Sequence, residues 1–209
     1  MKLLLVGATG LVGSNVLRVA LADPRIDAVI APARRALPEN PKLLAPVVDF
    51  EDLPADAVWW AVDAVICTLG TTMRIAGSRE AFRRVDHDYP LAVARFAPQH
   101  GTSTFILNSA IGANVSSRFF YNRVKGEVER DLAGVGFRSL TYVRPGVIGG
   151  DRDEFRPAEH VASVVLRLLG PALPRHWRIN LAERIAAVMV EAAVAGKPGT
   201  HIVASGELT

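Results

Sequence analysis

The chain has 209 residues, half of them apolar and 22% charged, and a formal net charge of +3. That length holds one sizeable core without a second domain, and the composition excludes the disordered, collagen-like and disulfide-scaffold classes. A lone cysteine (Cys67) and five scattered histidines exclude an intramolecular disulfide and offer no metal-ligand spacing, and no apolar run approaches the ~18 residues of a membrane span.

The first apolar run, Leu3–Val6, lies so near the N-terminus that no cleavable signal is expected, and the expected location is cytoplasmic. Directly after it comes Gly7-Ala8-Thr9-Gly10-Leu11-Val12-Gly13, leading into an amphipathic segment, Leu11–Ala22. Strand, glycine turn and helix in that order are what a dinucleotide pyrophosphate requires. Gly7 permits the tight turn, Gly10 lets the backbone approach phosphate, and Gly13 lets the helix pack against the strand. The helix N-terminus then presents free N–H groups and a partial positive charge. The spacing is G-x-x-G-x-x-G rather than the commoner G-x-G-x-x-G.

A second strand, Ala28–Ala31, is followed by Pro32-Ala33-Arg34-Arg35, with no acid until Glu39. An acid at this point binds the ribose 2′-OH of NAD, whereas arginine accommodates the 2′-phosphate of NADP. Arg34 and Arg35 therefore point to NADP(H), with two solvated loop arginines as the alternative. Asp49, at the end of a third run, Val47–Phe50, either approaches the adenine edge or caps the next turn. The connection Glu51–Asp63 contains Pro54, and little regular helix is expected there. Further strands are predicted at Ala64–Thr68, Thr104–Asn108, Leu140–Arg144 and Ile202–Ala204, and helices at Arg79–His100, Asn122–Val135, His160–Leu169 and Asn180–Ala195. The alternation predicts an α/β fold: one Rossmann-type domain over the whole chain, with a doubly wound parallel sheet in the order 3-2-1-4-5-6. Gly149–Pro157 is the candidate boundary, and residues about 150–200 are expected to add a small C-terminal cap, with His160–Leu169 as its helix.

The reactive candidates follow the fifth strand. Tyr121 and Lys125 are four apart in a helical segment and so share one face. Ser109 lies just past Thr104–Asn108, at the strand's carboxyl end, where open α/β sheets bind ligands. A tyrosine hydroxyl, with an ordinary pKa of about 10, is a poor proton donor or acceptor at neutral pH. A neighbouring ammonium favours the phenolate, and Lys125 supplies one. In this arrangement Ser109 holds the substrate oxygen, Tyr121 handles the proton, and hydride passes between nicotinamide and substrate carbon.

The chain here resembles the short-chain dehydrogenase/reductase superfamily in its extended or atypical branch, and within it the Tat-interacting-protein-type oxidoreductases. The resembling segments are Gly7–Gly13, Leu69-Gly70-Thr71-Thr72, Val85–Tyr89, Ser109 with Gly112-Ala113, Ser116–Glu127 and Arg144-Pro145-Gly146-Val147. The resemblance implies NADPH binding, a serine–tyrosine–lysine set at Ser109, Tyr121 and Lys125, a cofactor path lined by Leu69, Gly70 and Thr71, and Arg144, Pro145 and Gly146 closing over the nicotinamide side. The C-terminal part is much smaller than the substrate domain of sugar epimerases, which argues against a sugar-nucleotide substrate.

Other residues have bland readings beside sharper ones. Cys67 is a small buried residue or a redox-sensitive thiol near the cofactor. Asp86 and Asp88 anchor a helix or face solvent, or else one of them holds the active-site loops by a hydrogen bond. Arg152 and Arg156 are solvated or meet an anionic substrate. The expected function is an NADP(H)-dependent oxidoreductase acting on a small carbonyl or alcohol. The alternative is an NADPH-binding regulatory or redox-sensing protein with little turnover and a protein partner. Neither a membrane nor nucleic acid is an expected partner, no metal is expected, and monomer and homodimer both remain open.

Overall fold

In the computed structural model the described residues are 1–149 and 179–209. Arg152, Arg156, the predicted helix His160–Leu169 and nearly all of the Gly149–Pro157 boundary lie outside them.

The elements in chain order are β1 (Lys2–Val6), α1 (Leu11–Ala22), β2 (Ala28–Ile30), β3 (Leu43–Leu44), β4 (Ala64–Cys67), α2 (Met73–Ala76), α3 (Arg79–Arg83), α4 (Tyr89–Phe96), β5 (Thr104–Asn108), α5 (Phe120–Ala133), β6 (Ser139–Arg144), β7 (Ile148–Gly149), β8 (Asn180–Leu181), α6 (Ala182–Ala195) and β9 (Gly199–Ala204). Seven strands form one sheet in the order β3-β2-β1-β4-β5-β6-β9, every pairing parallel. The predicted order holds, with β9 added beyond β6. Side chains alternate along each strand, so two apolar layers form. Leu3, Leu5, Ile66, Ile106 and Val143 meet α1 and α6 on one face. Leu4, Val6, Val65, Phe105 and Leu107 meet α4 and α5 on the other. Continuous apolar strands are what a sheet covered on both faces demands. The predicted helix Asn180–Ala195 is α6, which packs beside α1 in the sheet-covering layer.

Two further expectations need correction. The third strand is Leu43–Leu44, not Val47–Phe50. Pro46 has no N–H to continue the ladder, and pairing resumes only as one bridge between Ala33 and Val47. The single helix expected over Arg79–His100 is four pieces: α3, a π-turn over Arg84–Asp88, α4 and a 3₁₀ turn over Ala97–His100. Pro90 is the cause. In an α-helix its N–H would bond the Asp86 carbonyl four residues back, but proline has none and its ring clashes there. The ladder widens instead, and the Tyr89 N–H bonds Arg84 O, five residues back.

The register aligns the strand ends. Val6 pairs with Cys67, Cys67 with Leu107, and Leu107 with Tyr142. The loops that follow, starting at Gly7, Thr68, Ser109 and Pro145, therefore lie side by side along the carboxyl edge of the sheet.

Candidate functional site

The glycine turn is shaped by close approach. Gly7 has φ +90°, and a Cβ there would meet Thr68 backbone at 2.7 Å. A Cβ on Gly13 would fall 2.0 Å from the Gly7 carbonyl oxygen, so α1 can start where it does only with glycine at 13. Gly10 differs, since its Cβ would meet only Gly7 O, at 3.4 Å. No side chain caps α1 and no acid sits in its first turn. The Gly10 N–H is taken by Gly7 O and the Ser14 N–H by Gly10 O. The amides of Leu11, Val12 and Gly13 thus have no backbone partner among the described residues. The side chain of Val12 lies in the core, so only its amide belongs to the turn. Thr9 is exposed. An uncapped twelve-residue helix, aimed past a glycine that nothing else requires, fits a bound pyrophosphate.

Arg34 and Arg35 follow β2 on the surface, and neither forms an ion pair or hydrogen bond among the described residues. The Asp49 carboxylate accepts the Glu51 N–H at 2.9 Å, which is the turn-capping alternative. It does not stand at a strand end.

Three side chains line one face of α5 at four-residue intervals: exposed Tyr121 and the buried Lys125 and Glu129. Tyr121 is 40% exposed, its ring 5.7 Å from that of Phe82. Lys125 is buried, with Nζ 2.8 Å from Asp86 Oδ1. Burial works against the Lys125 charge, but the Asp86 and Tyr121 oxygens outweigh it and hold the lysine pKa above its ordinary value. The other Asp86 oxygen accepts the Thr71 N–H at 2.8 Å. A Cβ on Gly70 would sit 3.4 Å from Asp86, so Gly70 and Thr71 close tightly over the pair. Asp86 therefore fastens the loop after β4 to the lysine on α5. Its signal in sequence was Pro90, four residues on.

Ser109 is not beside Tyr121 in a hydrogen bond. Its Oγ donates to Glu129 Oε1 at 2.5 Å. Arg144 pairs with the same carboxylate, Nε to Oε1 at 3.0 Å and Nη2 to Oε2, which keeps its guanidinium charged. Its side chain is thus committed to α5 and does not close over the edge, where Pro145 and Gly146 present backbone. The Ile111 N–H bonds Pro145 O at 2.8 Å, and the Gly146 N–H bonds Asn180 Oδ1 at 2.7 Å. Asn180 is fully buried and also donates to Ser205 O, so it pins the loop after β6. Nothing in the sequence distinguished it from an ordinary helix cap. Loop 110–119 is strapped to α5 by Asn122 Nδ2, which donates to Ile111 O at 3.0 Å. Gly126 allows this approach, because a Cβ there would fall 2.3 Å from Asn114 backbone. Cys67 is fully buried and burial pushes its thiol up to about 12, so it is the inert residue of the two readings.

Among the described residues no cluster of three or more potential ligands can hold a metal, and no helix is long and apolar enough to cross a membrane.

The chain is 36% identical over 178 residues to the mitochondrial protein fmp52 of Emericella nidulans, across 79% of this chain and 75% of that one. To the mitochondrial protein FMP52 of Eremothecium gossypii it is 38% identical over 154 residues, across 73% and 69%. No family model matches the chain. In fold it is similar to the UDP-glucuronic acid 4-epimerase of Bacillus cereus in complex with NAD, with a TM-score of 0.73 at 13% identity, across 98% of this chain and 77% of that one. That likeness is one of fold: a Rossmann-like parallel sheet flanked by helices. The cytoplasmic expectation is overturned, since both relatives carry "mitochondrial" in their names.

Proposed function

This chain belongs to the FMP52 family, and we propose that it is an NADP(H)-dependent oxidoreductase acting on a small carbonyl or alcohol. The observation that carries the proposal is the convergence, at one sheet edge, of the uncapped glycine turn at α1 and the Tyr121–Lys125 face of α5. The finer resemblance to Tat-interacting-protein-type oxidoreductases supports it, and the relatives' names support a mitochondrial setting. Arg34 and Arg35, unpaired among the described residues and with no acid in sequence until Glu39, support the phosphorylated cofactor.

The amides of Leu11, Val12 and Gly13 hold pyrophosphate, and Leu69–Thr71 with Pro145 and Gly146 flank the rest of the dinucleotide path. When bound, the nicotinamide supplies or accepts a hydride. In reduction the Tyr121 hydroxyl gives its proton to the substrate oxygen as the substrate carbon gains hydride, so a carbonyl becomes an alcohol. In oxidation both transfers reverse. Lys125 favours the phenolate left behind and holds the ribose.

Tyr121→Phe is the test. Turnover of a reactive small carbonyl should fall by roughly 10²–10⁴ while dinucleotide binding survives. Undiminished turnover in that variant rejects the assignment. A second reading, an NADPH-binding regulator with little turnover, is favoured by one observation. The Ser109 proton is already given to Glu129, so none is left for a substrate carbonyl. That reading expects tight NADPH binding, negligible reduction across a carbonyl panel, and a protein partner whose affinity depends on the cofactor.

A further inference from the structure

A lysine that must stay charged is here nearly sealed from water. The side chains of Lys125 and Asp86 are 4% and 1% exposed, and they meet at 2.8 Å. Among the described residues the groups that face this pair from the surrounding elements are Cys67 on β4, Tyr121 on α5 itself, and the Thr71 amide from the loop after β4. An isolated buried ammonium loses its proton readily, since desolvation lowers a lysine pKa by as much as ~3–5 units. What opposes that loss is one carboxylate, and the carboxylate is where it is because of the π-turn. The widened turn lets two successive polar side chains point inward, Asp86 to Lys125 and His87 to Asp131 at 2.9 Å. π-turns recur at functional sites for this kind of reason.

We propose that Asp86 is a positioning residue for the reaction: its carboxylate keeps Lys125 protonated inside the fold and ties that charge to the loop of Gly70 and Thr71. The assignment rests on reading α5 as the reactive helix, but the charge of Lys125 can be read without any dinucleotide or turnover. Only four lysines are present, Lys2, Lys42, Lys125 and Lys197. In protein carrying ¹³C-labelled lysine, each Cε shift reports its own protonation, and Lys125→Arg assigns the signal. In the native protein the Lys125 signal should remain that of an ammonium after the other three have titrated. A Lys125 that titrates with or before them overturns the proposal, whatever the variants do.

Asp86→Asn sharpens the test. Its carbonyl still accepts from Thr71, but its NH₂ then faces Nζ, which must lose a proton to accept from it. Lys125 should now titrate about 2 or more units below the surface lysines, and an unmoved signal overturns the proposal. If this variant does not fold, Asp86→Glu, which keeps the charge, and the native titration decide. NADPH affinity gives a second readout. It should stay flat into the alkaline range for native protein, fall there for Asp86→Asn, and become flat again in Asp86→Asn/Lys125→Arg, because arginine does not deprotonate. A uniform loss at every pH, unrescued by arginine, marks a merely structural residue and rejects the assignment. If native protein binds no dinucleotide, the oxidoreductase reading fails by itself, and the lysine titration still decides the role of Asp86.

Discussion

The two halves of the site are built from opposite materials. The half under α1 is made of backbone and of missing side chains: Gly7, Gly10 and Gly13, three amides without a partner among the described residues, and no acid in the first helical turn. The half under α5 is made of buried charge: Lys125 against Asp86, and Glu129 against Ser109 and Arg144. The first half spends no desolvation energy and needs only geometry. The second buries ions that are costly unless each finds its partner, so it depends on helices far apart in sequence meeting correctly. One half should therefore fail through steric clash and the other through unpaired charge.

Gly13→Val is the largest expected break on the first side. Its Cβ would overlap the Gly7 carbonyl, and neither backbone can yield without moving α1 from β1. We expect a loss of about 3 kcal/mol or more, measured by urea denaturation, together with loss of dinucleotide binding. Gly10→Ala separates the two effects. Its Cβ has room in the free protein, so stability should fall by no more than about 1 kcal/mol, the cost of alanine at an N-cap, while NADPH affinity falls because the methyl occupies the pyrophosphate position. If the two substitutions have the same effect on stability, the distinction between a packing glycine and a ligand glycine is wrong.

On the charged side, Glu129→Gln leaves the Arg144 guanidinium without its anion and weakens the Ser109 bond. The expected cost is about 3 kcal/mol, again by urea denaturation, with the pyrophosphate end of binding little affected. An unchanged midpoint would mean that the Glu129–Arg144 pair contributes no more than a surface pair.

The same contrast explains what could be read from the sequence. The glycine turn and the Tyr121–Lys125 face are local, each following from residues within one turn or one strand–helix unit, and the strand order follows from the strand–helix alternation along the chain; all three are found in the structure. Asp86, Glu129 and Asn180 are not local. Asp86 meets a lysine 39 positions on, Glu129 a serine 20 positions back, and Asn180 a loop 34 positions back. Hydrophobic periodicity says which face of a helix is buried, but not which buried carboxylate meets which cation. It also runs smoothly through Arg79–His100 and hides the π-turn, although Pro90 marks the place where the α ladder cannot continue. Ser109 was located correctly at the strand end. Its partner was not, because that depends on Glu129 lying two turns beyond Tyr121 on a helix whose rotation only packing sets.

The smallest expected effect tests the region that belongs to neither half. Arg34 and Arg35 are exposed after β2 and have no partner among the described residues, so replacing both with alanine should leave stability within about 0.5 kcal/mol. Their contribution, if they meet a 2′-phosphate, is one or two charge-assisted hydrogen bonds of about 1.5–3 kcal/mol each before solvent screening. The double variant should therefore lose NADPH affinity by roughly one order of magnitude or more and leave NADH affinity unchanged, read as parallel thermal-shift titrations. The comparison is internal to one protein, since both cofactors use the same glycine turn and only the 2′ substituent differs. An equal loss for both would place the arginines on the shared diphosphate and remove the argument for the phosphorylated cofactor. No loss for either would return them to solvent, and the α1 turn would then bind a dinucleotide without regard to its 2′ group.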